Sequence, residues 1–129
     1  MTDKRRRLTN ESLRAALKLW LDPSTREQAV AKYGAIGDWD VSRVTDMEGL
    51  LRGQREFNED LSRWDTSKVE RMNSTFKAAS SFNQPLETWD TSKVVDMGAM
   101  FAFASSFNQP LEAWDTCKVT CFVAPPPST

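Results

Sequence analysis

Apolar and aromatic positions return along most of this chain at a fixed interval of 25 residues, and polar positions keep equally fixed places between them. Trp39, Trp64, Trp89 and Trp114 form one column, each followed by an aspartate: Asp40, Asp65, Asp90 and Asp115. Val44, Val69, Val94 and Val119 form another, and Phe57, Phe82 and Phe107 lead into Asn58, Asn83 and Asn108 and then Leu61, Leu86 and Leu111. A period of this size marks a repeat array, in which one unit cannot bury its apolar face alone and each stacks on its neighbours. The apolar columns are therefore the expected core: Trp39, Val44, Met47, Phe57, Leu61, Trp64, Val69, Met72, Phe76, Phe82, Leu86, Trp89, Val94, Met97, Phe101, Phe107, Leu111 and Trp114.

Within a unit, Val94, Met97, Phe101 and Ala104 recur at i, i+3, i+7 and i+10, and Val69, Met72, Phe76 and Ala79 repeat that spacing. It predicts a helix of about three turns with one buried side. Asp90, Thr91 and Ser92 stand where short oxygen-bearing side chains accept the free N–H groups of a first helical turn. Asp40, Asp65, Asp90 and Asp115 are accordingly read as helix caps, and Asn58, Asn83 and Asn108 as caps or as a ladder between coils. The other half of a unit, Asn83 to Trp89 with Pro85, is expected to be a short extended segment, stacking about 4.8 Å from its neighbours. One helix and one extended segment per unit make the expected architecture an α/β solenoid of about four units.

The ends differ from the array. Residues 9–36 are expected to form a helical cap: Leu13, Leu17, Trp20 and Leu21 share one helical face, Thr9 or Asn10 can serve as N-cap, and Asp22-Pro23 with Ser24 and Glu27 suits a second, shorter helix. The division is a disordered basic segment at 1–8, the cap at 9–36, the repeat array at 37–122 and a Pro-rich tail at 123–129. At positions 125 and 126 the period calls for apolar residues, but Pro125, Pro126 and Pro127 stand there and proline ends a helix. The fourth unit is thus unfinished, and its exposed apolar face reads either as a surface for weak self-association or as the mark of a truncated chain.

Composition narrows the function classes. Seventeen basic and eighteen acidic residues leave a formal charge of -1, so no global field draws the chain to nucleic acid or to an anionic membrane. The like-charge run Lys4 to Arg7 leads into Leu8, Thr9, Asn10 and Glu11 rather than an apolar stretch, so no secretory signal is recognised and intracellular residence is expected. No stretch reaches the roughly 18 apolar residues of a membrane span. Cys117 and Cys121 are too close together to staple a fold, are expected to stay reduced, and offer only two soft ligands for a metal. There is no histidine, no nucleophile paired with a base and no phosphate loop. No reaction, cofactor or metal is expected; the Asp column, conceivable as a calcium ladder, is read as backbone-bonding. The column Asp46, Arg71 and Asp96 alternates in sign and is expected to set register through Arg71.

The unit Phe-Asn-Gln-Pro-Leu-Glu-x-Trp-Asp-Thr-Ser-Lys-Val-x-Asp-Met-x-x-Met-Phe resembles the repeat of BspA-like leucine-rich-repeat surface proteins, including mycoplasma-type surface lipoprotein repeats, over residues 33–122. That resemblance implies a leucine-rich-repeat-like solenoid of the α/β class, display at a cell surface, and adhesion or protein binding without catalysis. The chain departs from it in lacking an export signal and in stopping its array mid-unit. The expected function is a non-catalytic scaffold for a protein partner, with Glu59, Arg63, Glu70, Lys77 and Glu87 as exposed contact positions. The rival is nucleic-acid binding through the basic N-terminus with Lys68, Lys93 and Lys118.

Overall fold

The computed structural model describes residues 7–116, 118 and 119. Helix α1, Asn10–Leu21, starts at Thr9, whose side chain accepts the Ser12 N–H while the Ser12 hydroxyl oxygen accepts the Thr9 N–H. Its apolar face buries Leu13, Ala16, Leu17 and Trp20. Where α1 ends, two of its last carbonyls would lack partners. The Thr25 hydroxyl donates to Leu19, and the Arg26 guanidinium donates to the Trp20 carbonyl while lying 5.1 Å from the centre of the Trp20 ring. Helix α2, Arg26–Tyr33, follows; its N-cap residue Thr25 makes no side-chain capping bond, and Ser24 is held instead by the Asp22 carboxylate. The capping-box reading of Ser24 and Glu27 is thereby corrected. Gly34, at φ 83°, and a 3-10 turn at Ile36–Asp38 lead into the array.

From Trp39 onward the chain is built of turns. The same N–H to i−3 carbonyl bonds close at 41–44, 47–50, 49–52, 51–54 and 61–64, and again 25 and 50 residues later. Among the described residues the repeats contain no α-helix and no strand; isolated parallel bridges join the backbone of Arg7 to Asp40, Asp46 to Arg71 and Arg71 to Asp96. The leucine-rich-repeat-like solenoid of the α/β class is therefore overturned, and with it the helix of Val94 to Ala104, the extended segment of Asn83 to Trp89, and helix-capping by Asp40, Asp65, Asp90 and Asp115.

The physical reason lies in the amides. An α-helix needs each N–H to reach the carbonyl four residues back. Here Met47, Gly49, Leu51 and Gly53 send their N–H groups to the carbonyls of Arg71, Asn73, Thr75 and Lys77, while the intervening Leu50, Arg52 and Gln54 close turns within their own coil. Met72, Ser74, Phe76 and Ala78 do the same toward Asp96, Gly98, Met100 and Ala102, so all eight bonds run 24 residues ahead at 2.7–3.0 Å. Turns 47–50 and 51–54 also place their third residues in the left-handed region: Gly49 and Gly53 at φ 59° and 74°, then Ser74, Ala78, Ala99 and Phe103 at 55–61°. That conformation suits a type II turn and cannot continue a right-handed helix.

Stacking brings the columns together. Ring centroids lie 6.4 Å apart for Trp39 and Trp64, 6.3 Å for Trp64 and Trp89, and 6.0 Å for Phe82 and Phe107, all with planes within 15° of parallel. The indole N–H of Trp64, Trp89 and Trp114 each donates at 2.8 Å to the carbonyl of Ile36, Leu61 or Leu86, 28 residues back. Each indole thus buries its apolar surface and also satisfies a carbonyl of the preceding coil.

The helical pair closes the first coil by imitating a coil before it. In later coils the Glu70 and Arg71 N–H groups donate to the Thr45 carbonyl; in the first, Thr45 and Asp46 donate to the Asn10 side-chain oxygen at 2.9 and 3.2 Å. The Asn73 carbonyl accepts from Gly49, whereas the equivalent Glu48 carbonyl accepts from the Arg14 guanidinium at 2.8 Å. Trp20 and Tyr33 cover Trp39 edge-on, with centroids 6.1 and 5.9 Å away. Arg7 and Leu8, assigned by sequence to the basic tail, lie against this coil: Leu8 is buried and donates to the Asp40 carbonyl. The rest of that tail, Cys117, Cys121 and the segment 123–129 lie outside the described residues.

Two expectations follow from this packing. Asn10→Ala leaves two N–H groups without an acceptor and lowers unfolding free energy in urea by about 1–3 kcal/mol, whereas Asn10→Asp retains the acceptor and most of the stability. A Cβ on Gly53 meets nothing within 4 Å, so Gly53→Ala tests φ alone and costs about 1 kcal/mol, while Ala78→Gly gains a similar amount; equal urea midpoints in all three proteins would contradict the left-handed turns.

Candidate functional site

Among the described residues the apolar columns fill the interior. The eighteen expected core side chains are buried except Leu111, which is half-buried. Val41, Leu50, Leu51, Ala79 and Met100 join them. So do Thr66, Thr75 and Thr91, which sequence reasoning missed as core. Thr66 and Thr91 donate their hydroxyls to the Asp90 and Asp115 carbonyls of the next coil, and Thr75 bonds the Met47 and Met72 carbonyls. The available signal was columnar: Val41 heads the column of Thr66 and Thr91, and Leu50 that of Thr75. Valine and threonine share a branched shape, so a buried threonine fits there once its hydroxyl finds an acceptor.

What the fold leaves at the surface is a set of polar columns repeated once per coil. Asn58, Asn83 and Asn108 form a ladder: the Asn58 side-chain oxygen accepts the Asn83 N–H, and the Asn83 oxygen accepts the Asn108 N–H, each at 2.8 Å. Gln84 and Gln109 reinforce it from the same rows, donating to Asn58 and Asn83. This network bonds peptide groups of neighbouring coils, which fixes the spacing of whatever lies beside it.

The aspartate column works through local turns. Asp40, Asp65 and Asp90 each accept the N–H of the serine two residues on, at 2.9–3.0 Å, and no helix begins after them. Asp115 shares the column, but its serine position is Cys117, outside the described residues. The Ser42 hydroxyl and then its N–H, against some burial and helped by Arg7 and Arg43, hold the Asp40 carboxyl below the usual carboxylate range. Asp90 is lowered by the Ser92 hydroxyl and then its N–H, with Asp115 of the next coil opposing. Asp60 and Asp22 are lowered by the N–H and then the hydroxyl of Ser62 and Ser24.

Arg71 joins Asp46 and Asp96 through its backbone, not through its charge. Its guanidinium pairs with Glu48 at 3.0 Å across the coils, while Asp46 and Asp96 accept the N–H groups of Glu48 and Gly98. Both partners of that ion pair are about half exposed, so its worth is below about 1 kcal/mol. Arg63 pairs with Asp38 of the 3-10 turn. Glu59, Glu70 and Glu87 are exposed and Lys77 half-exposed; Glu59 follows the asparagine ladder, Glu70 stands beside the bridge at Arg71, and the Lys77 carbonyl accepts the Gly53 N–H of the coil before it. Arg43, Lys68, Lys93 and Lys118 are exposed, one per coil.

Two open grooves of about 480 and 610 Å³ flank the seam between α1 and the first coil, lined among others by Arg14, Lys18 and Leu50, and by Trp20, Arg26 and Phe57. Neither brings together a nucleophile with a base. Among the described residues no three His, Cys, Asp or Glu side chains gather in a metal-holding group, and no helix is long and apolar enough to cross a membrane.

The carboxylates give a testable acid response. Their folded pKa values lie below the ordinary value, so the stability they confer is complete above about pH 4 and is lost as pH falls through the folded values. Unfolding midpoints should be level between pH 7 and about 5 and drop below about 4. Ser92→Ala returns Asp90 toward its ordinary value and makes the acid limb shallower; an unchanged limb would remove the Asp-Ser pair from the account.

Residues 24–124 match the family described as Mycoplasma protein of unknown function, DUF285, and the chain belongs to it. No curated protein and no solved structure matches the chain.

Proposed function

We propose that this member of the family is a non-catalytic scaffold whose surface columns bind a protein partner, in the manner of an adhesion or interaction module. The observation that supports this reading is the division between columns. Positions that bond or pack between coils repeat nearly unchanged, as Trp64 and Trp89 or Asn58 and Asn83 do. Exposed positions between them change from coil to coil: Glu56, Ser81 and Ser106 share one column, and Arg63, Thr88 and Ala113 another. A rigid spine with chemically varied positions at constant spacing is the arrangement by which stacked repeats present a partner surface. Adhesion at a cell surface, the setting implied by resemblance to BspA-like proteins, belongs to the same proposal.

A second reading is supported by one specific observation, the exposed line Arg43, Lys68, Lys93 and Lys118, which matches the charge a polyanion would need. The aspartate column three residues earlier weakens it by placing a carboxylate near each cation.

One experiment separates the two readings. The native protein and a variant carrying Glu59→Gln, Glu70→Gln, Lys77→Gln and Glu87→Gln are compared for binding to extracellular and cytosolic proteins of the source organism and to labelled oligonucleotides. The scaffold reading expects a partner that the native protein holds and the variant, with unchanged thermal midpoint, holds at least about tenfold more weakly. Oligonucleotide affinity that falls with salt, with log-log slope near -0.9 per phosphate contact, and is lost in Lys68→Gln/Lys93→Gln, would replace it with the polyanion reading.

A further inference from the structure

The two grooves beside α1 form one trough. Both are lined by Leu21 and Gln54, so they adjoin at those residues and together follow the seam between the C-terminal half of α1 and the first coil. The first groove has apolar walls in Leu17, Leu21 and Leu50 and is lined also by Arg14 and Lys18; the second has Trp20 and Phe57, with Arg55, Glu56 and Glu59. This corner is where the first coil departs from the repeat. At the columns of Gln54, Arg55 and Glu56 the later coils carry Ala79, Ser80 and Ser81, then Ala104, Ser105 and Ser106. Ala79 and Ala104 are buried, whereas Gln54 is half-buried and its side-chain amide makes no hydrogen bond among the described residues. Long polar side chains therefore stand at this corner only where the trough runs.

The charges of the first groove are unevenly used. Arg14 and Lys18 lie one helical turn apart and so on one side of α1. The Arg14 guanidinium is anchored through one donor to the Glu48 carbonyl at 2.8 Å and keeps further donors free. The Lys18 ammonium has no partner among the described residues. Asp22, the acid of the same groove, accepts the Ser24 N–H and hydroxyl at 2.9 and 2.8 Å rather than either cation.

We propose that the trough binds an extended peptide segment of a protein partner, with an acidic residue of the peptide between Arg14 and Lys18 and its apolar neighbours on Leu17, Leu21 and Leu50. This rests on the scaffold reading and gives it a site and a partner chemistry. The two cations call for a carboxylate, which a guanidinium already held in place receives at little cost in ordering. Gln54, at the junction, has both a donor and an acceptor unused, the pair that a peptide group requires. Both grooves are open to solvent, where a small-molecule site would enclose most of its ligand. A nucleic acid fits less well, because Asp22 in one groove and Glu56 and Glu59 in the other would face its phosphates.

A displayed library of random linear peptides, panned on the native protein, tests the proposal, with selected peptides titrated by fluorescence anisotropy against native, Lys18→Glu and Gln54→Ala proteins. Neither side chain has a partner in the fold, and alanine is what later coils carry at the Gln54 column, so thermal midpoints should stay unchanged. Selected peptides should carry Asp or Glu beside an apolar residue. Lys18→Glu should weaken them at least about tenfold and Gln54→Ala about threefold, and exchanging the peptide's acid for lysine should restore binding to Lys18→Glu. Amide NMR shifts on titration should gather at residues 14–22 and 50–57. No selected peptide, selection without an acid, shifts elsewhere or affinity indifferent to Lys18→Glu would each overturn the proposal. The same shifts on raising protein concentration without peptide would overturn it by assigning the trough to a second copy. A partner held equally by the native and Lys18→Glu proteins, but lost in the four-substitution variant above, would overturn the trough and leave the scaffold reading standing.

Discussion

The structure depends on a division of labour among backbone amides. Along residues 47–54 and 72–79, alternate N–H groups close turns within their own coil and the others cross to the next. A helix would satisfy all of these groups locally and leave nothing to join one unit to another. Here the left-handed residues interrupt the helical path twice per coil, and the amides so released find carbonyls 24 residues ahead. Satisfaction of buried peptide groups, which a regular element usually supplies from within, is in this chain a property of two coils together.

That requirement explains the strict period. A coil one residue longer or shorter would move every donor off its carbonyl, every indole off the preceding indole and every asparagine oxygen off the next asparagine N–H. Three kinds of bond thus enforce one register: the peptide ladder, the indole N–H to carbonyl bonds and the asparagine ladder. Between them the apolar side chains exclude water, which strengthens each bond and makes a missing partner costly. The first coil would have been the weak point, and Asn10 and Arg14 supply there the acceptor and donor that a preceding coil would have given.

Much of this was legible as columns and little of it as elements. The period located the buried tryptophans, valines and phenylalanines, because burial repeats with the coil whatever the local conformation. The helical interpretation failed because residues at the two ends of a turn, such as Met72 and Thr75 or Phe76 and Ala79, are also spaced by three. Gly49 and Gly53 were the warning, since both sit at left-handed positions, but Ser74, Ala78, Ala99 and Phe103 hide the same conformation in the later units. The roles of Asn10 and Arg14 had no counterpart in sequence, because they arise only when α1 lies against a coil more than thirty residues away. At the surface, the Arg71 to Glu48 pair was misassigned because column position does not reveal which way a long side chain leans.

The most direct test of the coil ladder is scalar coupling across hydrogen bonds, measured by NMR on isotope-labelled protein. The account predicts couplings from the amide nitrogens of Met47, Gly49, Leu51 and Gly53 to the carbonyl carbons of Arg71, Asn73, Thr75 and Lys77. Couplings from those amides to carbonyls four residues earlier in the same unit would mean a helix in each repeat and would contradict it.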